Sequence, residues 1–150
     1  MTSTQKTHIP EFGVKQAGVD YIDRPGVYAV IENYDRQIAM IETRNGYFLP
    51  GGGIDGVESD VEALKREIFE EIGYHATVLE KIGEAVEYMK AYSDGKNYQI
   101  HSRFYKVQLV FKIGAAIEKN HHLIWLWRKN ACKLLVRQSQ VWAVQRVVED

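Results

Sequence analysis

The sequence predicts an α/β fold in one domain, and three observations carry this. Short runs rich in Val, Ile and Tyr, separated by turn residues, read as strands. Among them lies one long amphipathic helix with signals at both ends. The length of 150 residues, with 45% hydrophobic and 26% charged residues, suits a substantial core and is ordinary for a soluble globular protein.

Taken in order, Met1 to Glu11 is polar and is expected to be a flexible arm. Phe12 to Asp23 suits a short strand or an arm on the sheet. Arg24-Pro25-Gly26 reads as a turn and Val27 to Glu32 as a strand. Asn33 to Arg36 turns the chain, so that Gln37 to Thr43 returns as the hairpin partner. Arg44-Asn45-Gly46 carries the Asn-Gly hairpin signal, and Tyr47 to Leu49 leads to Pro50, which has no N–H for a ladder. His75 to Met89 reads as one long strand or two, interrupted near Gly83. Tyr92 to Asn97 is a polar loop containing Asp94-Gly95. Tyr98 to Lys112 is the clearest strand, with an apolar stretch at Leu109-Val110-Phe111; the Tyr88 to Ile100 pair predicts a hairpin near the long helix. Glu118 to His122 is a charged loop, Leu123 to Leu126 a short strand and Lys129 to Val136 a short helix. Ser139 is read as the cap of a last helix carrying Val141, Trp142, Val144 and Val148, with Trp142 in the core.

The remaining composition bounds the partners. Nineteen basic and 20 acidic residues give a net charge of −1, so no basic surplus points to a long nucleic acid. The single cysteine, Cys132, excludes an internal disulfide and sits in an apolar pattern that suits a buried thiol. No run approaches a membrane span, and Met1 to Pro10 lacks the apolar core of a signal peptide. A cytoplasmic monomer or homodimer is the default expectation.

The long helix and the glycines before it hold the chemistry. Gly51, Gly52 and Gly53 form a turn that permits close backbone approach. Ser59 is an N-cap, Glu62 completes the S-x-x-E capping box, and Gly73 takes the C′ position. Val61, Leu64, Ile68 and Ile72 recur at helical spacing and form the buried stripe. Glu67, Glu70 and Glu71 fall at i, i+3 and i+4 on another face, with Glu71 nearest the stripe and Glu70 farthest from it. Like charges so placed destabilise a helix unless a cation fills the cluster, and hard oxygen donors suit Mg²⁺ or Mn²⁺. Arg66, four residues before Glu70, can hold that carboxylate in one orientation. An isolated E-x-x-E-E is more often a solvated face; the glycines and the spacing decide against that here.

Gly52, five residues, Glu58, seven residues, then Arg66-Glu67-Ile68-Phe69-Glu70-Glu71-Ile72-Gly73-Tyr74 resembles the Nudix box, G-x5-E-x7-R-E-U-x-E-E-x-G-U with U apolar. Tyr74 is aromatic where an aliphatic residue is usual. Fainter likeness extends through RPGVYAVI before the box and through LIWL and SQVWAV after it.

The resemblance implies an α/β/α sandwich with a mixed sheet. It also implies metal-dependent hydrolysis of a nucleoside diphosphate linked to another group, with a small nucleotide as partner. Carried over position by position, Glu67, Glu70 and Glu71 would bind metal. A carbonyl at Gly51 or Gly52 would add a ligand, Arg66 would orient a glutamate, and Glu58 would tie down the loop. The box residue Glu67 ranks first as general base, ahead of Glu118 and then His122 in the later loop. That loop departs from the family: His122 stands where a glutamate is frequent in H-E-L-x-W, and Trp127 where a proline is frequent. Tyr88, Arg103 and Tyr105 are candidate substrate contacts, by position alone, together with Tyr92, Tyr98, Phe104, Lys90 and Lys96. The alternative is a Nudix-like module that binds a nucleotide without cleaving it. Loss of box glutamates would signal that class, and none is lost.

Overall fold

A computed structural model describes residues 8–147. Residues 1–7 of the expected arm, and Val148 of the expected last helix, lie outside the described residues. The elements run β1 (Glu11–Phe12), β2 (Ile22–Ile31), β3 (Gln37–Thr43), β4 (Gly46–Phe48), β5 (Gly51–Gly53) and α1 (Asp60–Ile72). They continue with β6 (Tyr74–Lys90), β7 (Asn97–Lys112), β8 (His122–Trp127), α2 (Arg128–Leu134) and α3 (Gln138–Arg146).

The strands form two sheets. A mixed sheet has the order β1-β6-β7-β2-β5, with β1 parallel to β6 and β2 parallel to β7. The second, antiparallel, has the order β4-β3-β8. Both contribute to a core on each side. Val27, Ala29, Ile31, Ala39, Ile41 and Val107 pack with Leu64, Ile68 and Ile72 of α1. Tyr28, Val30, Ile38, Met40 and Phe104 pack with Ala131, Ala143 and Val144 of α2 and α3. Neighbouring residues along β2 and β3 therefore enter opposite cores, as the period of a strand requires, and helices cover both faces. This is the expected α/β/α sandwich. No helix among the described residues is long and apolar enough to cross a membrane.

Several elements differ from the expectation, each for a local reason. Arg24-Pro25-Gly26 lies inside β2, with Pro25 opposite His101. There β5 covers the strand only from Gly26 onward, and an open flank is where a strand tolerates proline. Gln37 to Thr43 does not return as the hairpin partner of β2. The two meet only in an isolated bridge between Glu32 and Ile38, and β3 becomes the middle strand of the second sheet because both its faces are apolar. The three glycines pair with Gly26, Val27 and Tyr28 as a short strand. Val61 is 41% exposed, and Ala63 takes its inward place. Val110 and Phe111 are exposed, because β6 and β7 outrun the layers that cover them. At the other end the hairpin tip packs on the N-terminal segment, where Tyr88 meets Tyr21 edge-on at 5.2 Å. Glu11, the end of the expected arm, pairs with Val86. Ser139 does not cap the last helix; Arg137 holds that position, and Ser139 donates its hydroxyl and N–H to buried Glu87 at 2.6 and 2.9 Å.

Two local expectations hold, while Cys132, expected as a buried thiol, is only partly buried. Thr43 and Gly46 close the Asn-Gly hairpin. Strand β6 is a single strand with register shifts between Val78 and Gly83.

Candidate active site

The helix that carries the glutamates is fixed at both ends. Ser59 accepts the N–H of Glu62 while Glu62 accepts that of Ser59, which closes the capping box. Gly73 ends α1 in the left-handed region at φ 73°. A Cβ there would meet the Gly114 carbonyl oxygen at 2.1 Å, so glycine is required both by conformation and by close approach. That approach brings the later loop in. The N–H groups of Ile117 and Glu118 donate to the Glu70 carbonyl at 2.8 and 3.1 Å.

Arg66 is the hub of the polar face. Its Nε and Nη2 donate to the Glu58 carboxylate at 2.8 and 3.0 Å. Its Nη1 bridges Glu67 and Glu70 at 3.1 and 3.0 Å, and Nη2 reaches the Gly53 carbonyl at 3.0 Å. Glu58 also accepts the Asp55 N–H at 2.8 Å, which closes the loop on itself. The Arg66 bond holds the Glu58 carboxyl below its ordinary pKa.

Glu67 and Glu71 sit deeper. The Glu67 carboxyl lies against Gly52, where a Cβ would stand 2.6 Å from its carboxyl carbon; any other residue would push it away. Burial raises the pKa of Glu67 against the pull of Arg66. Glu71 is buried, accepts the Gly51 N–H at 2.8 Å, and meets His121 Nδ1 at 3.0 Å. Its pKa is pushed up to about 8, first by burial and then by the charges of Glu67, Glu118 and Glu70.

Among the described residues, no three of His, Cys, Asp and Glu already stand as a metal cage. The donor chemistry nonetheless fits a hard divalent cation. The side-chain donors are carboxylates seated against a bare glycine backbone; burial is the main cause of the rise at Glu67 and Glu71, and neighbouring carboxylate charge adds to it.

The structure separates the other candidates. Glu118 comes close enough for its charge to act on Glu67 and Glu71. His122 lies opposite Glu42 in the β3–β8 ladder and lines a separate pocket of about 450 Å³ with Arg44, Tyr47 and Asn120. Its neighbour His121 is the histidine that reaches the box helix. The family pattern points to position 122, where a glutamate is frequent, and so hides His121; alternation at the strand start is the signal that separates the two. Arg103 and Tyr105 both reach α1, but at its first residue, Asp60, through Arg103 Nε at 2.9 Å and the Tyr105 hydroxyl at 2.5 Å. Tyr88 sits on the hairpin tip. Phe104 and Tyr98 are buried, and Tyr92 is fully exposed.

A second group on the α3 face went unread. Ser102 Oγ, Arg137 Nε and Gln140 Nε2 are buried without a hydrogen-bond partner among the described residues. Ser102 lies opposite Gly26, which itself lies opposite Gly53, and Gln140 accepts the Leu49 N–H at 2.8 Å. Gln140 therefore holds the chain just before the glycine run, and Ser102 lies one strand away from it across Gly26.

Comparisons with known proteins agree with this geometry. The NUDIX domain profile matches residues 23–124. A Bacillus subtilis (strain 168) protein, provisionally described as an 8-oxo-dGTP diphosphatase, is 40% identical over 60 residues. That match spans 39% of this chain and only 40% of the relative's length. Among solved structures, the MutT protein of Methanosarcina mazei Go1 superposes with a TM-score of 0.67 at 17% identity, over 86% of this chain and 95% of that one. A NUDIX hydrolase of Nitrosomonas europaea gives 0.66 at 18% identity, over 83% and 88%.

Proposed function

The chain belongs to the Nudix hydrolase family, and from that premise we propose that it hydrolyses the pyrophosphate linkage of a nucleoside diphosphate bearing another group, with Mg²⁺ or Mn²⁺. The observation that carries this reading is the seat of Glu67 on Gly52 beside Glu71 on Gly51, with Arg66 holding Glu67, Glu70 and Glu58 in one network. Glu67, Glu70, Glu71 and a carbonyl of Gly51 or Gly52 would hold the cation. When bound, it would neutralise charge on the phosphate oxygens and favour ionisation of the attacking water.

The chain's own residues supply the rest. Arg66 fixes the Glu67 and Glu70 carboxylates and Glu58 anchors Arg66, so Arg66 is a positioning residue and not a substrate contact. Glu67 is the proton acceptor for the attacking water: its carboxyl is half-buried with a raised pKa, and a base works best with a pKa near the working pH. His121 and the Gly51 N–H orient Glu71. The unpartnered Ser102, Arg137 and Gln140 atoms support a nucleoside contact near the glycine run, since buried polar atoms in a native fold normally find a partner.

The Bacillus relative's description makes an oxidised purine deoxynucleoside triphosphate the first substrate to try. The test is a panel of that triphosphate, ordinary triphosphates, nucleotide sugars and dinucleoside polyphosphates, assayed with Mg²⁺ and with Mn²⁺. Turnover of one class at a kcat/KM of at least about 10⁴ M⁻¹s⁻¹ supports the reading. Binding without turnover across the panel would leave the non-hydrolytic module.

A further inference from the structure

Asp60, the first residue of α1, is held from the sheet. It accepts Arg103 Nε at 3.0 and 2.9 Å and the Tyr105 hydroxyl at 2.5 Å. The helix does not need this carboxylate for its start, because Ser59 and Glu62 already close the capping box. The bonds are also sheltered: the Arg103 and Asp60 side chains are 26% and 22% exposed, so water competes for them less than at an open surface. Burial alone would raise the Asp60 carboxyl, yet the Tyr105 and Arg103 bonds leave it below its ordinary pKa, while Tyr105 is pushed up to about 12.

The register gives the contact its meaning. Arg103 lies opposite Val27, and Val27 lies opposite Gly52. One row across β7, β2 and β5 therefore ends in Arg103 at one side and in the seat of Glu67 at the other. Two strand spacings are about 9.6 Å. The seven residues from Asp60 to Glu67 rise about 10.5 Å along the helix. The lengths match, so α1 reaches from β7, where Arg103 and, two residues on, Tyr105 hold Asp60, to β5, where Glu67 sits against Gly52.

We propose that Arg103 and Tyr105 are positioning residues that, by holding Asp60, set where α1 lies across the sheet and so seat Glu67 on Gly52. The consequence for turnover rests on the hydrolase reading above; the consequence for the helix does not.

The experiment compares full-length Arg103→Met, Arg103→Lys and Tyr105→Phe with Val144→Ala, which removes core volume on the opposite face. Amide hydrogen exchange at Gly51, whose N–H is held by Glu71, reports the seat without any substrate. Exchange at Gly51 should rise about tenfold more in Arg103→Met than in Val144→Ala once both are corrected for global stability. On any hydrolysed nucleotide, kcat should fall about tenfold or more, as expected for a sub-ångström to 1 Å misplacement, with KM changed less than about threefold. Arg103→Lys, which keeps a charge for Asp60, should recover part of both effects. Tyr105→Phe removes one hydroxyl and no other atom, and it carries the test if Arg103→Met does not fold. Equal Gly51 exchange in the Arg103 or Tyr105 variants and Val144→Ala would overturn the proposal. So would a rise in KM at unchanged kcat, which would make Arg103 a substrate contact. If the wild type hydrolyses nothing, the hydrolase reading fails while the exchange comparison still decides the helix.

Discussion

The two faces of the central sheet layer are finished differently. On the α1 face the box carboxylates all have partners within the protein: Glu58, Glu67 and Glu70 share Arg66, and Glu71 takes the Gly51 N–H and His121. On the α3 face Ser102, Arg137 and Gln140 each bury a polar atom with no hydrogen-bond partner among the described residues. On the proposed hydrolase reading, the contrast would give the two faces different work. Charge set in place beforehand costs no reorganisation during reaction. A buried polar atom left open costs stability and is retained where something else completes it.

Breaking the first face should have the largest effect. Excess chelator should abolish turnover, and Glu70→Gln and Glu71→Gln should each lower kcat by about 10² to 10³-fold, since each removes charge stabilisation in the transition state. The apolar stripe of α1 is untouched, so melting curves without metal should stay within a few degrees of the wild type at neutral pH or rise. Near wild-type turnover in both variants, or full activity in chelator, would remove the metal from the reading.

The second face should give a smaller effect of a different kind. Ser102→Ala deletes a hydroxyl that is unmet in the free protein, so stability should hold or improve. If that hydroxyl meets the nucleoside, KM should rise about three- to tenfold, the range of one neutral hydrogen bond, with kcat little changed. An unchanged KM on every hydrolysed substrate would mean that the nucleoside binds elsewhere.

The same contrast explains what could be read from the sequence. The α1 face was legible because its chemistry sits in 23 consecutive residues, Gly52 to Tyr74, and because both helix ends carry local signals. Even there, Val61 was misplaced, since helical spacing does not say which of two small apolar residues, Val61 or Ala63, turns inward. The α3 face brings together Gly26, Ser102 and Gln140, which no local pattern connects. The exchange of β3 into a second sheet was hidden for the same reason: the Asn33 to Arg36 turn after an apolar strand looks like a hairpin until both faces of β3 are seen to be buried. His121 was missed by one position, because strand phase at Leu123 depends on pairing with β3.

A third prediction sharpens the first face through pH. Glu71 has a folded pKa of about 8 against an ordinary 4.5. Between those values the folded protein holds a proton that the unfolded chain has released. Stability rises with pH only where the unfolded state binds more protons; here the folded state does, so stability falls as pH rises from about 4.5 to 8. Without metal, the melting temperature should drop by at least about 3 °C over that range. Glu71→Gln should flatten the profile, and saturating Mg²⁺ should offset it at the alkaline end. A flat wild-type profile would show that Glu71 is not held protonated.

The smallest effects belong to the later loop, and they decide the proton acceptor. Glu118 acts on the site through its charge, which raises the proton affinity of Glu67 and Glu71. Glu118→Gln removes that charge, so both carboxyls should lose their protons at lower pH. The acid limb of the kcat profile should therefore move to lower pH, with the plateau down less than about tenfold, below the 10²-fold typical of a lost general base. His122 faces the pocket beside Glu42 and Arg44 instead of the box helix, so His122→Ala should leave both limb and plateau within about twofold, as for a surface change away from the reacting groups. A plateau loss of about 10²-fold in Glu118→Gln would transfer the proton to Glu118 and leave Glu67 as a metal ligand alone. A limb that stays in place would mean that Glu118 is too far from the box carboxylates, in solution, to feel them.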